Sequence, residues 1–302
     1  MSFHADSTPR NVAAANQPPE RLIVRKLEVD LKRGFGRHWH GGRAFRTQFY
    51  NALSMSFPVG EQFFIDSVRD AAATLPPTEE HAATRATIAG FIGQEATHRR
   101  IHRLYNDVLE SQGLVNQWQH RAARRIERLG RLGLDPRHAL AVTCAYEHFT
   151  ALLADGTLRH TAWLEGAEPQ MQTIWRWHAA EETEHSSVAF DLYQALGGSY
   201  KWRVRWYLYV CVIFACDATR QTLLNLWHDR SLFKPSTWAD GLSLFWGREG
   251  LVWRCARPML AYFHRDFHPT QDHHPVGAQT LAARWLSAHA GVLTPVRSGR
   301  AA

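Results

Sequence analysis

The sequence repeats one arrangement of glutamate and histidine that suits a metal site. In each copy a lone glutamate is followed, 34 or 35 residues later, by a Glu-x-x-His pair. The residues are, in chain order, Glu61, Glu95, His98, Glu147, Glu182 and His185. A single Glu-x-x-His pair is common on polar helices, but two copies at matched spacing indicate one shared site.

The spacing within each pair explains how it could bind metal. Residues three apart on a helix share a face, so both side chains of a pair can reach one ion. Two such pairs and two lone glutamates, on four helices, make the six-ligand set of a di-metal carboxylate site. Oxygen-rich sites with imidazole suit iron or manganese, whereas structural zinc usually recruits cysteine. We therefore expect two iron ions, with manganese or zinc as alternatives.

Neighbouring polar residues extend the candidate site. His178 lies four residues before Glu182 and is predicted to be a seventh ligand. His102 lies one turn after the first pair, where a ligand role and a role behind the ligands are both open. Glu181 precedes Glu182 directly, and spacing alone does not decide which of the two binds metal. We assign proton transfer in catalysis to Glu181 and His102.

Two other polar residues near the motifs are left outside the predicted site. An exposed helix charge is the main expectation for Glu184, and a position behind the ligands is the alternative. His148 directly follows Glu147 and would point about 100° away from it on a helix. We expect His148 to face away from the metals.

The ligands need long helices, and the proline and glycine breaks predict such helices. Two of the segments would be about 30 residues long, a length typical of helical bundles. The region 237–290 indicates shorter helices. The predicted segments are 58–75, 79–112, 117–132, 136–165, 168–195 and 200–228. The predicted fold class is all-α, a four-helix bundle with additional C-terminal helices.

We divide the chain into four regions. Disordered tails are expected at 1–20 and 291–302, the metal-binding bundle over 21–228, and a helical extension over 229–290. A short strand or helix is expected at 22–31, before the bundle helices.

The composition is typical of a globular protein of a reducing compartment. The chain has 302 residues, of which 45% are hydrophobic, and this excludes a fully disordered chain. Its four cysteines form no C-x-x-C pair, so neither a zinc ribbon nor a disulfide framework is predicted. The N-terminus lacks the apolar core of a signal peptide. A cytoplasmic location is expected.

The charge of the chain favours no nucleic-acid partner. The formal net charge is +7, but the arginines are scattered along the sequence rather than confined to one stripe. Such a distribution is typical of a solvated basic surface.

The segment 206–216, WYLYVCVIFAC, is strongly apolar. As a helix it would cover about 16 Å, about half of a bilayer's hydrocarbon core, so it cannot span a membrane alone. A buried core helix is the main expectation. A helix that lies on a membrane surface, or that lines an apolar substrate channel, is the alternative.

Four segments carry the candidate ligands: PVGEQFF, FIGQEATHRRIHRLYN, AYEHFTA and WRWHAAEETEHSSVAFDLY. They resemble the motifs of a bacterial family of predicted metal-dependent hydrolases, over about Val24 to Trp227. The order of the ligands is also similar to that of the ferritin-like di-iron group, which implies a ferritin-like bundle.

The second half of the motif resembles a further group. His178-x-x-x-Glu182-x-x-His185 is similar to a segment of the di-iron arylamine N-oxygenases, which carry an additional histidine ligand. Those enzymes have a histidine four residues after the third glutamate, where this chain has Ala151.

Three functions fit these observations. The first is a non-haem di-iron oxidase or oxygenase that uses O2 and an electron donor on a small or lipid-like organic substrate. The alternative is a two-metal hydrolase that polarises a carbonyl or phosphoryl group. The third is a non-catalytic ferritin-like protein that binds metal or a membrane surface. Peripheral membrane contact through 206–216 and a homodimer through the additional helices are also expected.

Overall fold

The structure is a computed structural model that describes residues 22–272 and 280–296. Its regular elements are almost all helical, and the predicted all-α class is confirmed. The helices are α1 (Ala44–Ala72), α2 (Ala82–Ser111), α3 (Gln117–Arg131), α4 (Pro136–Arg159), α5 (Pro169–His185), α6 (Val188–Ala195), α7 (Tyr200–His228), α8 (Pro235–Trp246), α9 (Leu251–Ala261), α10 (Pro269–Asp272) and α11 (Leu281–Ala288). The predicted tail at 1–20, and residues 297–302 of the predicted tail at 291–302, lie outside the described residues.

Helix α1 differs from the prediction, because it begins 14 residues earlier and runs through Pro58. Proline has no N–H, so the carbonyl of Ser54, one turn earlier, loses its helical partner. The side-chain amide of Asn106 donates to that carbonyl at 3.1 Å instead. A contact from α2 therefore stabilises the turn in which a helix start was expected.

The predicted helix over 168–195 is two helices. Helix α5 ends at His185, and α6 begins at Val188 after a turn at Ser186 and Ser187. The segment 136–165 is also shorter than predicted, since α4 ends at Arg159 and a short 3-10 turn follows. Helices α2, α3 and α7 agree with the prediction to within three residues at each end.

The four helices that carry the predicted ligands form a closed arrangement. Helix α1 packs against α2 and α4, and α5 packs against α4 and α2. Helix α1 lies at the centre of the molecule, because it also contacts α3, α7 and α8. Its buried polar residues include Glu61, Ser54 and Asn51. The core of the protein is therefore polar at the level of the ligands and apolar on both sides of it.

A two-stranded sheet joins the ends of the described chain. Strand β1 (Arg25–Leu27) pairs in antiparallel fashion with strand β2 (Leu293–Pro295). The prediction of a disordered tail from residue 291 is therefore wrong for residues 293–295, which form β2. The backbone hydrogen bonds of β2 are made with β1, which lies far away in the sequence. Strand β1 lies against α2 and carries Arg25 toward α5.

The apolar segment 206–216 lies in α7 and is buried on one face only. Tyr207 and Val210 are fully buried, whereas Leu208 is 50% and Val212 62% exposed. The expectation of a buried core helix is correct for the face that carries Tyr207 and Val210. It is wrong for the face that carries Leu208 and Val212. Among the described residues, no helix combines the length and the apolarity that crossing a membrane requires.

Close packing of Trp163 on α4 yields a stability prediction. A Cβ added at Gly156 would overlap the Trp163 ring, whereas one added at Gly130 in α3 would meet nothing within 4 Å. We expect Gly156→Ala to destabilise the protein by about 1–3 kcal/mol through overpacking. The matched control, Gly130→Ala, should stabilise it by up to about 1 kcal/mol, because alanine favours the helix.

Urea unfolding followed by circular dichroism measures both changes. Equal effects of the two substitutions would contradict the packing of Trp163 against α4.

Candidate metal centre

The structure brings the six predicted ligands together at one level of the helical arrangement. Each is at most 2% exposed. Helix α1 supplies Glu61, α2 supplies Glu95 and His98, α4 supplies Glu147, and α5 supplies Glu182 and His185.

Short distances link three of the four helices around His185. Its Nδ1 lies 3.2 Å from a carboxylate oxygen of Glu147, and its Nε2 lies 3.3 Å from one of Glu95. On the other side, Nδ1 of His98 lies 3.5 Å from Glu182. One ligand atom from each of Glu95, His98, Glu182 and His185 falls within 4.8 Å of the others. This separation suits a group that surrounds an ion.

A second group includes His178, the predicted seventh ligand. Atoms of Glu61, His98 and His178 also lie within 4.8 Å of one another. Nε2 of His178 is 3.0 Å from a carboxylate oxygen of Glu182. The two groups share His98 and are linked through Glu182, so the geometry offers places for two adjacent ions.

The donor atoms fit divalent cations, because many of them lack any other partner. Both oxygens of Glu61 and of Glu95, and Nδ1 of His98, are buried without a hydrogen bond in the described part of the chain. Buried polar atoms normally have partners, and buried charges are paired or bound to metal. The unpartnered atoms all face the shared centre, which supports metal binding there.

The carboxylates of the centre are buried close together, and this shifts their pKa values. Bound cations would reverse the upward shifts. Burial raises the pKa of Glu61 and Glu95 well above the usual range, and nearby carboxylates add to the rise. Burial and the charge of Glu182 raise the pKa of Glu147 to about 7. Burial also acts to raise the pKa of Glu182, but the charge of His185 and the contacts with His178 and His98 together outweigh burial, and the pKa falls. Divalent ions would displace the protons that Glu61 and Glu95 otherwise hold.

Glu181 lies directly behind His98 rather than among the central ligands. One of its oxygens accepts a hydrogen bond from Nε2 of His98 at 3.0 Å, and the other lies 3.2 Å from Arg25. Nδ1 of His98 then faces the centre, in the carboxylate–histidine–metal arrangement common in metalloproteins. The ambiguity between Glu181 and Glu182 is thereby resolved, because Glu182 points at the ligands. The proton-transfer role predicted for Glu181 stays a prediction.

Arg25 and Glu184 lie behind Glu181 and stabilise its position next to His98. Burial acts to lower the pKa of His98, but the hydrogen bond with Glu181 and the nearby carboxylates of Glu181 and Glu182 together outweigh burial and raise the pKa to about 10. Arg25 also binds Glu184, at 2.7 and 3.0 Å. The expectation that Glu184 is a free surface charge is wrong, because its carboxylate is tied to Arg25.

The sequence held no signal for Arg25. It lies 156 residues before Glu181, and only the pairing of β1 with β2 and its contact with α2 place it there.

His102 lies behind His178 in a chain of hydrogen bonds. Its Nε2 is 2.7 Å from Nδ1 of His178, and its Nδ1 is 2.9 Å from the hydroxyl of Ser54. Ser54 in turn donates to Asn106. If His102 donates to Ser54 and accepts from His178, Nε2 of His178 carries no proton and can bind metal. His102 therefore lies behind His178, and the proton-transfer role predicted for His102 stays a prediction.

Aromatic rings wall the centre. The ring of Phe57 lies 4.6 Å from that of His178, Phe91 5.0 Å from His185, and Trp177 4.9 Å from His98. These apolar walls strengthen electrostatic interactions inside by excluding water. His148 faces away from the centre, as expected, toward the carbonyl of Pro258.

Comparison with known proteins agrees with the chemistry of the centre. The model of a family described as predicted metal-dependent hydrolase matches residues 23–273. The chain belongs to this family. The predicted resemblance to it is confirmed, whereas similarity to ferritin-like proteins and arylamine N-oxygenases stays a prediction. No curated protein and no solved structure matches the chain.

Removal of one central carboxylate should release metal. Glu95 contacts the second Glu-x-x-His pair, so we expect Glu95→Ala to lose at least half of the metal that the purified protein retains. Glu110→Ala is the matched control, because Glu110 is exposed on the same helix. Elemental analysis measures the metal per chain. Equal metal content in the two variants would contradict the assignment of Glu95.

The metal-free protein should lose stability as pH rises from about 4.5 to about 7, the interval between the usual and the raised pKa of Glu147. Glu61 and Glu95 shift in the same direction. The unfolded chain releases these protons at a lower pH than the folded chain, so rising pH favours unfolding. The lowered pKa of Glu182 affects stability only at a pH below this interval. Burial lowers the pKa of His40, His102 and His178, and these groups oppose the fall within the interval, so the metal-loaded protein serves as the reference.

Thermal unfolding of chelator-treated protein at both ends of the interval tests this. Relative to metal-loaded protein, the midpoint of the metal-free protein should fall by several degrees between the two pH values. A difference between the two forms that does not grow with pH would contradict the effect.

Proposed function

We propose that this protein is a two-metal hydrolase built on a ferritin-like helical bundle. The observation that supports it most directly is the convergence of four buried glutamates and three histidines from four helices. Membership of the predicted metal-dependent hydrolase family points the same way.

The residues of the chain divide the work between binding and support. When bound, two divalent ions polarise a carbonyl or phosphoryl oxygen and lower the pKa of water. Glu181 holds the ring of His98 in position, and His102 holds that of His178. Phe57, Phe91 and Trp177 exclude bulk water from the ligands.

A di-iron oxidase or oxygenase is the second candidate. Four carboxylates with imidazole are a ligand set that suits iron, and the aromatic walls would protect a reactive centre from water. This function would require an electron donor in addition to O2 and the substrate.

Dependence on oxygen distinguishes the two functions. We expect the protein, loaded with manganese, zinc or ferrous iron, to hydrolyse p-nitrophenyl esters or bis(p-nitrophenyl) phosphate in anaerobic buffer. Glu147→Ala should reduce the rate more than tenfold, since loss of a ligand disturbs the metals. Glu127→Ala, an exposed residue of α3, is the control.

The outcome that overturns hydrolysis is turnover that requires both reductant and O2. A new absorption band when the anaerobic ferrous protein meets air, without anaerobic hydrolysis, would favour the second candidate.

We also propose two kinds of contact for the surface of the protein. The exposed Leu208 and Val212 in α7 could lie against a membrane surface or form the face of a homodimer. The buried Val210 belongs to the core and would not take part.

A further inference from the structure

A cavity of about 400 Å³ lies beside the metal centre. Its walls come from α1, α3, α4 and α7 and are mostly apolar. Representative wall residues are Phe63, Trp118, Ile126, Val142, Trp206 and Phe214. Cavities of this size and character are typical of sites for small organic ligands.

The inner part of this cavity approaches the ligands. Gly60, next to Glu61, lines it, as does Thr150, one turn after Glu147. Phe57 and Thr150 also line a smaller cavity of about 40 Å³, which His178 lines directly. Phe57, whose ring packs on His178, thus separates the large cavity from the metal ligands.

The charged residues that line the cavity are positive. Arg125 and Arg128 are the charged residues among those that line it, and no carboxylate is present there. Arg125 is held by the buried Asp217 of α7. Arg128 is exposed and makes no ion pair within the described chain. It is therefore available to an anionic group at the outer side of the cavity.

We propose that the substrate is an amphiphile with a hydrocarbon chain and an anionic head group. The chain occupies the cavity, and Arg128 binds the head group. The bond that is hydrolysed, a carboxylic ester or phosphoester linkage at the other end of the hydrocarbon chain, lies at the inner side, near Phe57 and Thr150. Trp206 and Phe214 place the apolar segment 206–216 along this path. The reaction at the inner side rests on the proposed function, whereas binding does not.

Dodecanoate is the probe that tests binding, with dodecan-1-ol and dodecyltrimethylammonium as comparisons, all below micelle concentrations. Isothermal titration calorimetry should show that dodecanoate binds more tightly than either comparison. We expect Arg128→Gln to weaken dodecanoate about tenfold, the size of a lost hydrogen bond to a charged group, and to leave dodecan-1-ol unchanged. Arg124→Gln, exposed on the same helix and outside the cavity, is the matched control.

A second variant tests the chain rather than the head group. Ala122 lines the cavity on α3, so Ala122→Trp should fill it and weaken binding of dodecanoate and dodecan-1-ol together. Circular dichroism and metal content, measured on each variant, should match the unmodified protein. Because Arg128 is exposed, Arg128→Gln keeps the test decisive even if Ala122→Trp fails to fold.

Three outcomes overturn the proposal: no binding of dodecanoate, equal or tighter binding of the cationic probe, or equal affinities in Arg128→Gln and Arg124→Gln. Failure of the proposed function can be distinguished from failure of the proposed ligand class. Dodecanoate binding that depends on Arg128, in a protein without metal-dependent hydrolysis, removes the function and keeps the ligand class. Anaerobic hydrolysis of the chromogenic substrates without dodecanoate binding does the reverse.

Discussion

The burial of four carboxylates around one point is the constraint on which the rest of the structure depends. Removing a charge from water costs several kcal/mol unless it is paired, and these glutamates lie close enough to repel one another. Burial first, and the neighbouring carboxylates second, raise the pKa values of Glu61 and Glu95. Divalent cations bound at the centre would relieve both costs. They would also hold the four helices at a common level, in addition to apolar packing.

Support for the ligands reaches far beyond the four helices. Asn106 illustrates this, because it accepts from the hydroxyl of Ser54 and also donates to the carbonyl that Pro58 leaves without a helical partner. The same amide therefore stabilises an irregular turn of α1 and the hydrogen-bond chain to His178. On the other side, Arg25 connects the terminal sheet to His98 through Glu181. Disturbance of the sheet would therefore reach the metal centre.

Two of the additional helices, α3 and α7, enclose an apolar cavity beside the centre. Without α3 and α7, the apolar faces of α1 and α4 would be open to water. With them, the ion pairs from Arg121 and Arg125 to Asp217 fasten α3 to α7 and close the cavity. The apolar cavity lies beside the centre, and the exposed Arg128 is among the residues that line it. Such a cavity suits a substrate with a long apolar part.

The sequence by itself determined the all-α class, the bounds of α2, α3 and α7, and the residues that meet at the centre. It could do so because helical periodicity and ligand spacing are local properties, readable within one or two turns. The tertiary structure alone decided that α1 passes through Pro58, that Glu182 rather than Glu181 faces the other candidate ligands, and that Arg25 supports His98. Each of these depends on a contact between residues far apart in the chain, and no local pattern encodes which distant side chain will be in place to make it.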